Sequence, residues 1–204
     1  MTTLLLLIVT AAAPARMPPV DQCTADESFT QFRDELRRTV DRRDAKRLLS
    51  IVADDVHASL GGDVGKKDFI QLWSLDRNPR GSLVWKELGD ALRFGCTMRS
   101  GVATIPSFGD QLGADRDPFE TFVALPGTAL HQRKSDQSVV VARLRWHVLT
   151  LRGQWDGGPW VGVKLDDGRK GYVRETKIRS PIGYRAWFHK RGNRWEMAGF
   201  LAGD

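Results

Sequence analysis

The chain has 204 residues, 41% of them hydrophobic and 27% charged, with a formal net charge of +6 at pH 7. That apolar fraction is too high for a disordered chain, and the length allows one domain or two small ones. The charge is uneven: residues 131–204 hold 15 Lys and Arg against 7 Asp and Glu, net +8, while residues 17–130 hold 15 against 18, net −3. A basic C-terminal half points to an anionic partner; a solvated surface that keeps the protein soluble is the competing reading.

The chain opens with an apolar run from Leu4 to Val9, followed by Ala13-Pro14-Ala15, the small-x-small pattern read by signal peptidase. Residues 1–15 are therefore expected to be a cleaved signal peptide, although no Lys or Arg precedes the run. The run is too short for a permanent membrane-spanning helix, so the mature chain is expected to be periplasmic or secreted, with no transmembrane helix. Val20-Asp21-Gln22 before Cys23 does not fit a lipid-anchor pattern. In an oxidising compartment Cys23 and Cys96 could form one disulfide, stabilising the fold by about 4 kcal/mol in the chain-entropy description; two unrelated buried thiols are the alternative. Neither cysteine has a His or second Cys at ligand spacing, and no metal or cofactor is expected.

Residues 24–96 read as a helical module with one short strand. Thr24-Ala25-Asp26-Glu27 matches a capping box, and Phe29, Phe32, Leu36 and Val40 then recur at helical spacing. Asp44 can cap a second helix bearing Leu48, Leu49 and Val52. A strand is expected from Val56 to Leu60, then a Gly61-Gly62-Asp63 turn and a helix carrying Phe69, Leu72 and Trp73. Ser82 is a candidate cap for a last helix with Trp85, Leu88 and Leu92, which Gly95 ends. Residues 97–118 lose this periodicity and read as a connecting segment, with Ile105, Phe108 and Leu112 packed somewhere.

Residues 119–180 change to short strands. Val161, Val163 and Leu165 alternate with Trp160, Gly162 and Lys164, Asp167-Gly168 makes a hairpin turn, and Gly171-Tyr172-Val173 pairs back. Residues 181–204 read as a terminal β-hairpin turning at Gly192-Asn193. The fold class is thus α+β, with a small barrel to bury the inner faces of the short strands.

Trp160-Val161-x-Val163, Gly168 and Gly171-Tyr172-Val173 together resemble the signature of bacterial SH3-like domains, over roughly sixty residues. His131-Gln132-Arg133 stands where that family usually has Asn-Val-Arg. The resemblance implies an envelope protein holding a cell-wall peptide or another polypeptide, with Trp155, Trp160 and Tyr172 as aromatic contacts and Arg169 and Lys170 as charged ones. The competing reading makes Trp160 and Tyr172 barrel filling. A fainter resemblance links the helices, strand and Gly-Gly turn to nuclear-transport-factor-like cone folds, which end in long antiparallel strands; the β-rich segment would then be an insertion.

The best catalytic candidate is Asp54-Asp55-x-His57, an acid–base pair that a cone-fold cavity could house for a small-molecule enzyme or carrier. Solvated acids at a helix-to-strand junction are the plainer account. No nucleophile elbow, Walker loop or His-Glu-x-x-His occurs, so a non-catalytic role is expected. Export argues against nucleic acid as the partner of the basic residues; cell-wall peptide, an envelope protein, anionic glycan or lipid phosphate remain.

Overall fold

The computed structural model describes residues 15–203. Apart from Ala15, the expected signal peptide lies outside the described residues. The chain divides into two compact units: residues 18–115 with 181–203 form the first, and residues 116–180 with 15–17 the second.

In the first unit α1 (Glu27–Arg42) starts at Asp26, whose carboxylate accepts from the Phe29 N–H at 3.0 Å. This corrects the capping box read at Thr24: the carboxylate nearer the apolar stripe satisfies the orphan N–H. Asp44 caps α2 (Ala45–Ile51) as expected, accepting from the Arg47 N–H at 2.9 Å. The following strand, β1 (Val52–His57), begins earlier than the expected Val56–Leu60. α3 (Lys66–Leu72) and α4 (Val84–Ala91) come next, and the Ser82 hydroxyl accepts from the Val84 N–H at 3.1 Å.

The segment read as a connector contains two strands, β2 (Thr97–Arg99) and β3 (Val102–Ile105), and the short α5 (Phe108–Gln111). These strands are completed by β11 (Arg185–Arg191) and β12 (Arg194–Leu201), in the order β1-β12-β11-β3-β2. Residues 24–96 are therefore not a module closed on itself. β12 runs parallel to β1, and β11 pairs antiparallel with both β12 and β3, placing Ala186 opposite Ile105 and Phe200. One sheet face packs on the helices: Phe29, Leu36, Leu48, Phe69, Trp73 and Leu88 meet Ile105, Phe188, Met197 and Phe200, all buried. Phe29 lies edge-on to Phe188 at 5.7 Å and to Trp195 at 4.9 Å, geometry that aromatic quadrupoles favour. A disulfide joins Cys23 to Cys96, with Cα atoms 5.7 Å apart.

The second unit is one sheet of seven strands. They are β4 (Thr121–Ala124), β5 (Thr128–His131), β6 (Val140–Leu144), β7 (Val148–Leu151), β8 (Trp160–Lys164), β9 (Lys170–Arg174) and β10 (Ile178–Arg179). Their order is β10-β4-β7-β8-β9-β5-β6. Phe122, Leu130, Leu144, Leu149, Val161, Val163 and Val173 make its core. Among the described residues no helix is long and apolar enough to cross a membrane.

Candidate functional site

The β8–β9 hairpin presents two unlike faces because strand side chains alternate. Val161, Val163 and Val173 point into the core. The other face carries three cross-strand rungs: Trp160 opposite Arg174, Gly162 opposite Tyr172, and Lys164 opposite Lys170. The turn closes with the Leu165 N–H donating to the Arg169 carbonyl at 2.8 Å, and Gly168 adopts φ 87°, a left-handed conformation suited to glycine. Gly171 allows β5 to approach β9, since a Cβ there would lie 2.4 Å from the His131 carbonyl oxygen.

On the first rung the Arg174 guanidinium lies over the Trp160 ring, 4.3 Å from its centroid, and His131 meets the same ring edge-on at 5.3 Å. Trp160 is left 8% exposed. Arg174 also grips Asp136 through two nitrogens, which holds that carboxyl below its ordinary range. On the second rung half-buried Tyr172 is flanked by two cations, Arg152 at 5.2 Å and Lys134 at 5.8 Å from the ring centroid. The Arg152 N–H donates to the Gly162 carbonyl at 2.8 Å, fixing where its side chain starts. The third rung sets two exposed lysines directly opposite each other, an arrangement that costs stability in a sheet. Among the described residues, Lys134, Arg152, Lys164 and Lys170 have no carboxylate partner. The result is an aromatic strip edged by four cations that form no ion pair among the described residues.

Of the five expected contacts, half-buried Tyr172 and exposed Lys170 stand on this face. Trp160 shares the face but lies beneath Arg174. Arg169 points its charge back at Asp167, at 2.6 and 2.9 Å, and that ion pair lowers the Asp167 carboxyl pKa. Trp155, expected as an aromatic contact, packs edge-on against Phe122 at 6.4 Å and donates its indole N–H to the Gly158 carbonyl at 2.9 Å. Lys134, Arg152, Lys164 and Arg174 lie outside the expected set. Lys164 already stands in the alternation Trp160-Gly162-Lys164, and Arg174 follows Tyr172 by the same two-residue step. Lys134 and Arg152 come from other parts of the sheet and are brought in by register alone.

The Asp54-Asp55-x-His57 constellation does not assemble into an acid–base pair. Asp54 binds Lys66 at 2.8 Å and Asp55 binds Arg191 at 3.1 Å, each pair lowering the carboxyl pKa, and neither carboxylate hydrogen-bonds His57. His57 is exposed beside an open apolar groove of about 470 Å³ lined by Leu60, Val64, Trp187, Ala198 and Leu201. Phe69 and Trp73 are buried in one cluster with Phe188 and Phe200 of the sheet. Among the described residues no three His, Cys, Asp or Glu side chains are grouped to hold a metal ion. Compared with protein-family models, with curated proteins and with solved structures, the chain matches none of them.

Proposed function

We propose that the chain is an exported binding protein whose second unit is an SH3-like module, and that the outer face of its β8–β9 hairpin holds a cell-wall peptide or a protein partner through the ligand's carboxylates. The observation that carries this reading is the Tyr172 rung with its two unpaired cations, continued by the facing Lys164 and Lys170. A like-charge rung is unfavourable in the free protein and becomes favourable when an anion bridges it. Tyr172 supplies apolar area at little entropic cost, and Arg152 and Lys134 supply the charge that orients a carboxylate beside it. Asp136 and Asp156 interrupt the positive field, which fits a peptide with separated carboxylates better than a continuous polyphosphate chain. The Cys23–Cys96 disulfide and the leader-like start accord with export.

The test is a pull-down of the purified mature chain on isolated peptidoglycan at low and high salt, repeated with Lys164→Glu/Lys170→Glu and with Tyr172→Ala/Arg152→Ala. Saturable binding that salt weakens and both variants reduce supports a wall ligand. Absence of binding at either salt moves the ligand to a protein partner. Binding that neither variant changes removes this face as the contact surface.

A further inference from the structure

The sheet of the second unit ends at β6, which pairs with β5 on one side only. Val139, Val140 and Val141 are 65%, 39% and 39% exposed. Ala142 and Leu144 carry one face of β6 onto the core, whereas the three valines that precede them stand exposed at the edge. Register adds a second feature. Leu130 faces Ala142 and His131 faces Val140, so Val141 has no partner residue on β5. An uncovered edge of β-branched residues is a template for another strand, and proteins ordinarily blunt such edges with proline, a cover or charges within the run. Here the charges lie outside the valine run: four are cations, and the one acid among them, Asp136, is held by Arg174. Arg133 and Lys134 precede it, Arg143 and Arg145 follow it, all four exposed and none ion-paired among the described residues. Arg143 pairs with Ala129, placing it on the same sheet face as His131 and Tyr172.

We propose that β6 is a docking edge for an extended acidic segment of a protein partner, which adds to the sheet as a further strand and sets its carboxylates against Arg143, Arg145, Arg133 and Lys134. Backbone hydrogen bonding supplies the affinity, the flanking cations select an acidic sequence, and the valines receive its apolar side chains. Charge complementarity decides between occupants. A second copy pairing edge to edge would bring four more cations to the same strip, and like charges across a strand pair are destabilising. The inference rests on the reading of this unit as a binding module, but it uses the backbone edge of β6, with Lys134 the one cation shared with the Tyr172 rung.

The experiment is a titration of the full chain, followed by amide hydrogen exchange, with a short blocked peptide of alternating Glu and Val. Two control peptides accompany it: the same sequence N-methylated at alternate amides, and its Lys/Val counterpart. The Glu/Val peptide is expected to slow exchange across Val139–Leu144 saturably, and the two controls are expected not to. Arg143→Glu with Arg145→Glu is expected to weaken binding about tenfold, whereas Tyr172→Ala with Arg152→Ala leaves it within about twofold. Because peptide methylation leaves the protein untouched, a folding defect cannot imitate that result. Equal binding of the methylated peptide overturns strand addition. Protection that maps to Lys170–Arg174 and vanishes in the Tyr172/Arg152 variant places the acidic peptide on the other face and overturns the edge proposal alone. A concentration-dependent dimer abolished by Val141→Lys makes a second copy the occupant and overturns the acidic one.

Discussion

Removing the Cys23–Cys96 bond, as Cys23→Ala with Cys96→Ala, is expected to destabilise the first unit while leaving its native structure in place. The two cysteines are 73 residues apart. For a loop of that length the chain-entropy relation gives about 15 cal/mol/K, or about 4.4 kcal/mol at 25 °C. The native contacts around the bond survive its loss: the Cys96 N–H donates to the Val20 carbonyl and the Gln22 N–H to the Cys96 carbonyl, both at 2.8 Å. Buried Arg33 keeps its two-oxygen grip on Asp21, at 2.7 and 2.9 Å. The effect therefore acts on the unfolded chain and appears in stability rather than in the circular dichroism of the folded state. With a urea dependence of about 2 kcal/mol per molar, the unfolding midpoint drops by about 2 M. Hydrogen exchange read peptide by peptide should place the loss in residues 18–115 and 181–203 and spare 116–180. A midpoint shift below about 0.5 M, with the native spectrum intact, would refute the loop-closure reasoning.

Three further outcomes follow from the second unit. Gly171→Ala sets a Cβ 2.4 Å from the His131 carbonyl and 3.0 Å from the Leu130 side chain, neither able to retreat within the β5–β9 pairing; a loss of about 3 kcal/mol in the unfolding free energy is expected, and a loss under about 1 kcal/mol would show that the strands can separate freely. Lys164→Glu turns the like-charge rung with Lys170 into an opposite-charge one, so stability should rise by about 0.5 kcal/mol while binding to an anionic ligand falls; thermal unfolding and the pull-down read the two effects separately, and a concurrent gain in binding would contradict the assigned role. Burial first, and then Arg16 and Arg169, lower the His147 pKa from 6.5, and its Nδ1 accepts from the Arg145 N–H at 2.9 Å. A depressed folded-state value means the neutral ring stabilises the fold above pH 6.5 and that this contribution is lost as pH falls through the folded pKa. His147→Asn keeps an acceptor without titrating, so urea midpoints followed from about pH 7 to about pH 5 should fall less steeply in the variant, and parallel curves would exclude His147 as the cause.

What can be read from the sequence is what neighbouring residues decide. The stripe Phe29, Phe32, Leu36, Val40 repeats within one helix, Asp44 caps the helix that begins at its own next residue, and Asp167-Gly168 turns a hairpin whose two strands adjoin it. β2 and β3 are hard to see because they are only three and four residues long and β3 finds β11 some eighty positions later. Val52 reads as part of the second helix because it extends that helix's apolar stripe; its pairing with Met197 across the parallel β1–β12 contact makes it a strand residue instead. The site divides in the same way. Tyr172 and Lys170 are legible on the hairpin, but their companions Lys134 and Arg152 belong to the β5–β6 loop and the end of β7, and only sheet register brings them to the Tyr172 ring. The Arg169–Asp167 pair, by contrast, spans two residues in a tight turn and is open to a purely local reading.

The fold also changes what the charge asymmetry means. Split by position along the chain, the basic half begins near residue 131 and includes the terminal hairpin. Split by fold, residues 116–180 hold 12 Lys and Arg against 7 Asp and Glu, net +5, while residues 18–115 with 181–203 hold 18 against 17, net +1. The terminal hairpin, with four cations and one acid, offsets the acidity of residues 18–115, which hold 14 cations and 16 acids, because its strands are β1's and β3's neighbours. β3 and β11 are antiparallel partners that a short turn could join, yet the chain enters and completes the whole second unit between them. A nearly neutral unit is thus interrupted by a strongly basic one, and the excess charge is confined to the unit that carries both the Tyr172 rung and the β6 edge. A field that long-range attraction can use is strongest where like charges are concentrated and weakest where they are balanced. Were the proposed binding to prove salt-sensitive, the net charge of the second unit is its expected source, whichever of the two proposed surfaces is used.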